Sequence, residues 1–334
     1  MDEVVLLLGL VLISAVVFDF INGFHDTANA IATVIATRVL APWQAILMAA
    51  GLNFLGALSG TAVAKTIGSG LIDPDAVSQS AVLAALLGAI SWNLFTWYYG
   101  IPSSSSHALV GGIIGGAIGH AGTTAPLWGA ILQKTILPFI VSPLVGFALA
   151  LVLMTVVLNA FQRAGRAAMG TIFGRAQLAS SAFMAFSHGS NDAQKTMGVI
   201  TIALISAQLL PRDASIPVWV IATAATAMAV GTAAGGWRII RTMGTRLTRL
   251  QPVHGFVAET SAATVIEIAS RFGLPLSTTH VIASTIMGVG ATKGTSYVRW
   301  NVAGNMLTAW ILTIPATATV AYLAYQLLRL AGLG

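Results

Sequence analysis

Charged residues are scarce in this 334-residue chain: Asp, Glu, Lys and Arg make up 8% of it, against 56% hydrophobic residues. Soluble globular proteins carry about 25% charged residues, so this chain cannot cover a water-facing surface. Its apolar stretches, among them 127–160 and 216–235, reach the ~20 residues that span the hydrocarbon of a bilayer. We therefore expect an all-α integral membrane protein.

Cysteine is absent, which excludes disulfides and thiolate metal sites. The excess of sixteen basic over ten acidic residues does not indicate a nucleic-acid partner, because much of it lies in two short segments. Such segments flank spans and set orientation by the positive-inside rule. Seven basic residues fall there: Arg163, Arg166, Arg175, Arg238, Arg241, Arg246 and Arg249. We predict that 161–177 and 237–250 face the cytoplasm.

Two motifs each occur twice along the chain. The first is Asn22-Gly-Phe-His-Asp-Thr-Ala-Asn29 and again His188-Gly-Ser-Asn-Asp-Ala-Gln-Lys195, in which the aspartates and the glycines three residues before them align. The second is Gly100-Ile-Pro-Ser-Ser-Ser-Ser-His107 and again Gly273-Leu-Pro-Leu-Ser-Thr-Thr-His280. The same order in both halves indicates a duplicated unit.

The polar middles of the second motif cannot face lipid, so we predict two re-entrant helical hairpins, at 76–119 and 253–290. Each half then has three crossings besides its hairpin, and an odd number inverts the second half relative to the first. Inverted repeats with broken helices are typical of secondary transporters. We predict a first repeat at 1–160 with a broken helix at 22–29, a cytoplasmic linker at 161–177, and a second repeat at 178–334 with a broken helix at 188–195. Both termini are predicted outside.

Asp26 and Asp192 lie inside apolar stretches, where a carboxylate costs ~2.5–3.5 kcal/mol on insertion scales. Amides and hydroxyls surround both of them, and such oxygen-rich patches suit hard cations. We predict a cation-binding or coupling site with Glu259 and Asn53 as further members. The full predicted set is Asp26, Asn29, Asn191, Asp192, Asn22, Gln194, Asn53 and Glu259.

In each hairpin, Gly-x-Pro ends one helix and a run of hydroxyl residues begins the next. Ser and Thr are preferred N-caps, and the free N–H groups of a helix start bind phosphate-like anions. We predict an anion site at two such tips, which also includes Thr27; its members are Ser104, Ser105, Ser106, Ser277, Thr278, Thr279 and Thr27.

Carboxylates beside an anion repel it unless a cation or proton neutralises them. If the two motifs share one cavity, transport of the anion is therefore coupled to a cation. Lys195 either holds the anion or neutralises an aspartate. His25 and His188 either relay protons or fix the loops by hydrogen bonds.

These motifs resemble the inorganic phosphate transporter (PiT) family over residues 10–325. The resemblance rests on 23–30, 187–195, both hairpin tips and His254-Gly-Phe-Val-Ala-Glu259, and it is similar in detail to the bacterial low-affinity branch. It implies sodium- or proton-driven phosphate symport in the cytoplasmic membrane, phosphate sometimes moving as a metal complex, and a homodimer. Animal members have Glu where this chain has Asn53 and Asn where it has Lys195, so the coupling cation stays open.

We therefore expect a multi-pass symporter working by alternating access, not an enzyme, with no cofactor beyond the co-transported sodium ion or proton. Three rivals are weighed. A sulfate permease of the same fold would use the same tetrahedral-anion tips. An intramembrane hydrolase would need a metal or nucleophile motif, and none is found. A channel does not need carboxylates beside anion donors.

Overall fold

The computed structural model describes residues 2–72 and 77–334, without the side chains of residues 2–4, 69 and 166. The first residue of the predicted hairpin at 76 lies outside this part of the chain. The described chain is built from helices: α1 Asp2–Ala36, α2 Pro42–Ala57, α3 Ala62–Ser69, α4 Gln79–Tyr99, α5 Ser105–Ala121, α6 Trp128–Ile131, α7 Leu137–Ala160, α8 Arg166–Ser206, α9 Val218–Ala234, α10 Trp237–Arg241, α11 Pro252–Arg271, α12 Thr278–Ala291 and α13 Trp300–Leu330. The predicted all-α membrane fold is confirmed.

Four segments within the described residues are long and apolar enough to cross a membrane by themselves, and two bent helix pairs bring the number to as many as six. The four are Val5–Ala36, Gln79–Tyr99, Trp128–Ala160 and Trp300–Leu330. Two π-helical turns, at Leu132–Ile136 and Thr242–Arg246, continue α6 into α7 and extend α10. The chain is therefore a multi-pass membrane protein.

Each half contains one broken helix, but the breaks lie elsewhere than predicted. The helix pair α2–α3 bends by 70° and the pair α9–α10 bends by 62°, whereas α1 and α8 run unbroken through 22–29 and 188–195. The predicted break positions were wrong because Gly23 and Gly189 serve another purpose. They sit where a second helix crosses at backbone contact, and the actual breaks fall at Gly60 and at Gly235-Gly236, between the paired helices.

The two halves interlock through matched helix crossings. α1 packs on α9, where a Cβ atom at Gly23 would lie 2.5 Å from Met228 O and one at Gly231 would lie 2.1 Å from Phe20 O. α8 packs on α2 in the same way, because a Cβ atom added at Gly56 would lie 2.0 Å from Phe186 O. Because small residues let helices approach closely in a membrane, glycine fixes both crossings. The two crossings are equivalent, since each joins the first long helix of one half to a bent helix pair of the other.

The two predicted hairpins are α4–α5 and α11–α12, and each packs on the last long helix of the opposite half. α13 lies against α4 and α5, while α7 lies against α12 and α11. The glycines of α5 allow close packing on both sides: a Cβ at Gly111 or Gly115 would meet α13, and one at Gly112 or Gly116 would meet α4.

The predicted linker at 161–177 is mostly helical, which corrects its boundary. α8 begins at Arg166, so 161–165 alone separates α7 from α8. Gly165 adopts an extended conformation at the N-cap, and the residues after it include Ala167, Ala168 and Met169, which favour helix. Of the basic residues in this region, Arg163 lies in the short connection, whereas Arg166 and Arg175 belong to α8.

Candidate functional site

α1 and α8 bring three ionisable side chains together in the interior. Asp26 from α1 and His188 and Asp192 from α8 are buried, and one ligand atom from each lies within 4.8 Å of the other two. Nε2 of His188 is 3.3 Å from Oδ2 of Asp192. Two carboxylates and an imidazole at this spacing can hold one cation between them.

The hairpin tips have the helix-start geometry that the sequence predicted. Gly100 and Gly273 end α4 and α11 in the left-handed region, with φ of 64° and 69°. Ser104 then caps α5 by accepting a hydrogen bond from His107 N at 3.1 Å, and Ser277 caps α12 by accepting one from His280 N at 3.2 Å. The remaining N–H groups of the first turn have no intrahelical partner, and the tip hydroxyls are buried.

The carboxylates and the tips converge in one cluster. Thr278 Oγ1 donates to Asp192 Oδ2 at 3.1 Å, and Thr279 Oγ1 lies 3.4 Å from Asp26 Oδ1. Asn29 Nδ2 donates to the Thr279 hydroxyl at 2.9 Å and to the Thr278 hydroxyl at 3.2 Å. Acidic groups from both halves and the hydroxyl-capped start of α12 therefore share a single buried site.

Lys195 joins the first hairpin to this cluster. Its ammonium donates to Asp192 Oδ1 and to Ser106 Oγ, and its side chain is fully buried. Ser106 Oγ in turn donates to Leu276 O at 2.7 Å, so the two tips touch. Of the two roles left open for Lys195, pairing with an aspartate is the one its contacts display.

The chain matches the sequence profile of the phosphate transporter family over residues 22–321. The chain belongs to that family. It is 47% identical, over 99% of both chains, to a probable low-affinity inorganic phosphate transporter of Bacillus subtilis (strain 168). It is 46% identical, over 96% of both chains, to a protein of the same description from Rhizobium meliloti (strain 1021).

A solved structure described as the sodium-dependent phosphate transporter superposes with a TM-score of 0.89 at 26% identity, covering 97% of this chain and 99% of the other. The family consists of transporters, which confirms the expectation that the chain is not an enzyme. The resemblance found in the sequence motifs is likewise confirmed.

Two histidines of this phosphate transporter family member support the aspartates. His25 Nδ1 lies 2.7 Å from Asp26 Oδ1, and its Nε2 lies 3.0 Å from Thr96 Oγ1 on α4. His188 Nδ1 lies 3.0 Å from Asn53 Oδ1 on α2. Asn53 thus reaches the cluster through His188 rather than directly.

Three predicted residues make hydrogen bonds to groups other than the cluster carboxylates, and their predicted roles stay predictions. Thr27 Oγ1 donates to Gly23 O at 2.6 Å, an intrahelical bond that occupies the hydroxyl. Gln194 accepts from Val63 N at 2.8 Å and thereby caps α3. Asn191 donates to Ser270 Oγ of α11 at 2.8 Å and accepts from Leu276 N in the loop of the second hairpin at 3.4 Å. Residues flanking Asp26 and Asp192 in sequence point to other faces of the helix.

Glu259 also lies apart from the cluster. Its carboxylate accepts hydrogen bonds from Thr33, from Gln177 Nε2 at 3.1 Å and from Ser180 Oγ at 2.5 Å. Thr33 is seven residues along α1 from Asp26, about 10 Å at 1.5 Å per residue. Glu259 therefore forms a second polar cluster, toward the end of α1 that faces the predicted cytoplasmic side.

Asp19 was missed by the sequence analysis. It is fully buried on α1, and within the described residues no hydrogen bond of good geometry reaches either carboxylate oxygen. It precedes Asp26 by seven residues in the same apolar stretch, a signal that was present in the sequence. It has no counterpart in the repeat, since the aligned position of the second half is Ala185, and so a comparison of the halves passes over it.

Proposed function

We propose that the protein is a cation-coupled symporter of inorganic phosphate, working by alternating access. The observation that carries the proposal is the shared cluster, in which Thr278 and Thr279 at one tip contact Asp192 and Asp26. The similarity to bacterial inorganic phosphate transporters and to the solved sodium-dependent phosphate transporter supports phosphate as the substrate.

The two hairpin tips supply the anion donors. The helix starts at Ser105 and Thr278 direct free N–H groups and the positive end of the helix dipole toward the cluster. Ser105 Oγ is buried and makes no hydrogen bond to any part of the chain that the structure describes, so a hydroxyl is available in addition to the backbone groups. Ser106 and Thr279 complete the proposed contacts to phosphate oxygens.

Coupling follows from the charges around that anion site. Asp26 and Asp192 together carry two negative charges, and Lys195 offsets one of them. An anion entering this buried site meets a net negative surrounding unless a cation arrives as well. A sodium ion or proton held by Asp26, His188 and Asp192 removes the repulsion, so that neither ion moves alone.

The same carboxylates favour phosphate over sulfate. An ionised carboxylate only accepts hydrogen bonds, and a phosphate monoanion or dianion has an O–H group to donate. Sulfate is fully deprotonated near neutral pH and offers Asp26 or Asp192 nothing but repulsion. We therefore expect weak competition by sulfate.

We place the protein in the cytoplasmic membrane with both termini outside and with the two halves moving around the central cluster. The Arg-bearing turns near 161–177 and 237–250 support this orientation by the positive-inside rule. A homodimer and transport of phosphate as a metal complex rest on the family resemblance, and both stay predictions.

Uptake of labelled phosphate into proteoliposomes tests the proposal. Wild-type protein is assayed with a sodium gradient at equal pH, then with a proton gradient without sodium, each with and without a hundredfold excess of sulfate. We expect gradient-driven phosphate accumulation in at least one arm and little effect of sulfate. Absence of uptake in both arms would overturn the phosphate assignment, and strong competition would favour the sulfate permease.

The variants Asp26→Asn and Asp192→Asn test the coupling role in the same assay. Each keeps the size of the side chain and removes its charge, so we expect gradient-driven accumulation to fall at least tenfold while the protein still inserts and purifies as a single species. Asp213→Asn, in the exposed loop between α8 and α9, is the matched control and should transport normally. Normal accumulation by both cluster variants would remove the carboxylates from the mechanism.

A further inference from the structure

Asp19 and its neighbours form a group of buried oxygens that the structure leaves without partners. Both Asp19 carboxylate oxygens, Asn22 Oδ1 and Thr196 Oγ1 are inaccessible to solvent and make no hydrogen bond within the described residues. Asn22 and Thr196 are close enough to the Asp19 carboxyl to interact with it, although without the geometry of a hydrogen bond, and the charges of Asp192 and Lys195 act on it. α1 and α8, which carry all of these side chains, are packed together.

A structural role does not explain this group. Buried polar side chains in native proteins are nearly always hydrogen-bonded, and a carboxylate in the membrane interior costs ~2.5–3.5 kcal/mol on insertion scales. Alanine, which stands at the aligned position 185 of the second half, would avoid that cost. An unpartnered carboxylate next to two neutral oxygens is instead the ligand set of a hard cation.

We propose that Asp19, Asn22 and Thr196 form a further cation site, separate from the cluster at Asp26, His188 and Asp192. Its occupant is a small hard monovalent cation, a sodium ion or a proton, and it is co-transported with the anion. The role of the site in transport rests on the proposed symport. The identification of its ligand atoms does not depend on which anion is transported.

The position of this site along α1 gives it a place on the ion path. Asp19 and Asp26 are seven residues apart, two turns of helix on one face, so their Cα atoms are separated by about 10 Å. Thr33, which binds Glu259, lies another two turns on. The Asp19 site is therefore at the N-terminal, predicted outer, side of the central cluster, where a cation entering from outside would arrive first.

Electrostatic balance also calls for another cation. Asp19, Asp26 and Asp192 supply three carboxylates to this part of the interior, and Lys195 is the single ammonium among the described side chains that contact them. One cation at the central cluster leaves one negative charge over, and the incoming phosphate adds to it. A monovalent cation at Asp19 cancels the remaining carboxylate charge, so that only the charge of the phosphate itself is left.

The test is the number of cations moved per phosphate. It is obtained by fixing the cation gradient, clamping the voltage at zero, and finding the phosphate gradient at which the net phosphate flux is zero. This ratio does not depend on how much protein is active. Each coupled cation multiplies the phosphate accumulation at a tenfold cation gradient by ten. We expect Asp19→Asn to lower that accumulation tenfold, which is one cation fewer per phosphate.

The sodium and proton arms identify the occupant, since the ratio changes only in the arm whose cation occupies the site. Asp213→Asn is the matched control and should keep the wild-type ratio. An unchanged ratio for Asp19→Asn in the arm that drives wild-type uptake would overturn the proposal. Thr196→Val keeps the shape of the threonine side chain and leaves the Asp19 carboxylate in place, but it removes the hydroxyl ligand. We expect this variant to raise the cation concentration that gives half-maximal uptake at least threefold. An unchanged concentration would contradict the role of Thr196 as a ligand.

A readout that needs no phosphate separates this proposal from the proposed function. Purified protein is unfolded thermally in detergent while sodium is titrated against choline, and in parallel while pH is varied without sodium. Suppose that the wild-type protein takes up no phosphate, that one of these cations stabilises it, and that the stabilisation is smaller in Asp19→Asn. The proposed symport would then be wrong, whereas the cation site at Asp19 would be supported. Equal stabilisation of wild type and Asp19→Asn by each cation would overturn the site.

Discussion

Lys195 is the residue on which the charge balance of the central cluster depends. It is fully buried, and its ammonium reaches both the carboxylate of Asp192 on its own helix and the hydroxyl of Ser106 on the first hairpin. Position 195 aligns with Asn29 of the first half, which reaches Thr279 of the second hairpin at 2.9 Å. The same cross-half contact is thus made once by a neutral amide and once by a cation.

We expect Lys195→Met to lower the free energy of unfolding by about 3–5 kcal/mol, because it leaves Asp192 as a buried charge without its partner. Adding Asp192→Asn should restore more than half of the loss, since the unpaired charge is then gone. Denaturant unfolding of the two variants and of wild type in detergent measures this.

Lys134→Met, at an exposed lysine of the α6–α7 span, is the control and should be neutral within about 0.5 kcal/mol. Purely additive losses in the Lys195→Met, Asp192→Asn double variant would show that the two side chains do not form a functional pair.

At the scale of elements, glycines set the distance between the helices that carry the site. A Cβ atom at Gly56 would come within 2.0 Å of Phe186 O, and one at Gly189 within 2.2 Å of Asn53 O. These contacts hold α2 against α8 next to His188 and Asp192. Any side chain at the crossing must push the two helices apart and so displace the ligands.

We expect Gly56→Ala to destabilise the protein by about 1–3 kcal/mol, the usual cost of overpacking, and to reduce phosphate uptake. Gly51→Ala on the same helix is the matched control, because nothing lies within 4 Å of its new methyl group. Alanine is also the better helix former by about 0.5–1 kcal/mol, so Gly51→Ala should be neutral or stabilising. Thermal unfolding in detergent compares them, and similar melting temperatures for the two variants would contradict the packing role.

Sequence reasoning recovered the site better than the path of the helices. The repeated Asp and Ser/Thr motifs predicted the convergence of Asp26, Asp192 and the two tips, because membrane burial makes polar side chains seek one another. The position of the helix breaks was wrong, since a glycine such as Gly23 signals either an unwound turn or a close crossing, and only the neighbouring helix decides. Asp19 escaped notice because it belongs to one half alone.

At the scale of the whole molecule, the predicted orientation can be read chemically because the chain has no cysteine. Single cysteines can be placed in exposed loops without any background labelling. Thr123 and Asp213 lie in exposed connections that we predict outside, whereas Gln162 and Ser296 lie in exposed connections that we predict inside.

We expect a membrane-impermeant maleimide to label Thr123→Cys and Asp213→Cys in intact cells, and to label Gln162→Cys and Ser296→Cys only after permeabilisation. The positive-inside rule gives the physical reason, because the basic segments stay on the cytoplasmic side. The cysteine-free wild type is the control for unspecific labelling. The reverse labelling pattern would show that the protein has the opposite orientation in the membrane. Labelling of Thr123→Cys and Asp213→Cys from opposite sides would contradict the predicted inverted relation between the two halves.

The packing of α13 on α4 and α5 has a consequence for biosynthesis. The first hairpin receives its partner from α13, which is translated after all the other helices named above, so its glycine-lined surface at Gly111 and Gly115 lacks that neighbour while the intervening helices are being made. An N-terminal fragment ending before residue 300 should therefore insert without maturing, and co-expression of the remaining piece should rescue it. The first hairpin, made early, is thus covered only once a helix translated much later has docked on it.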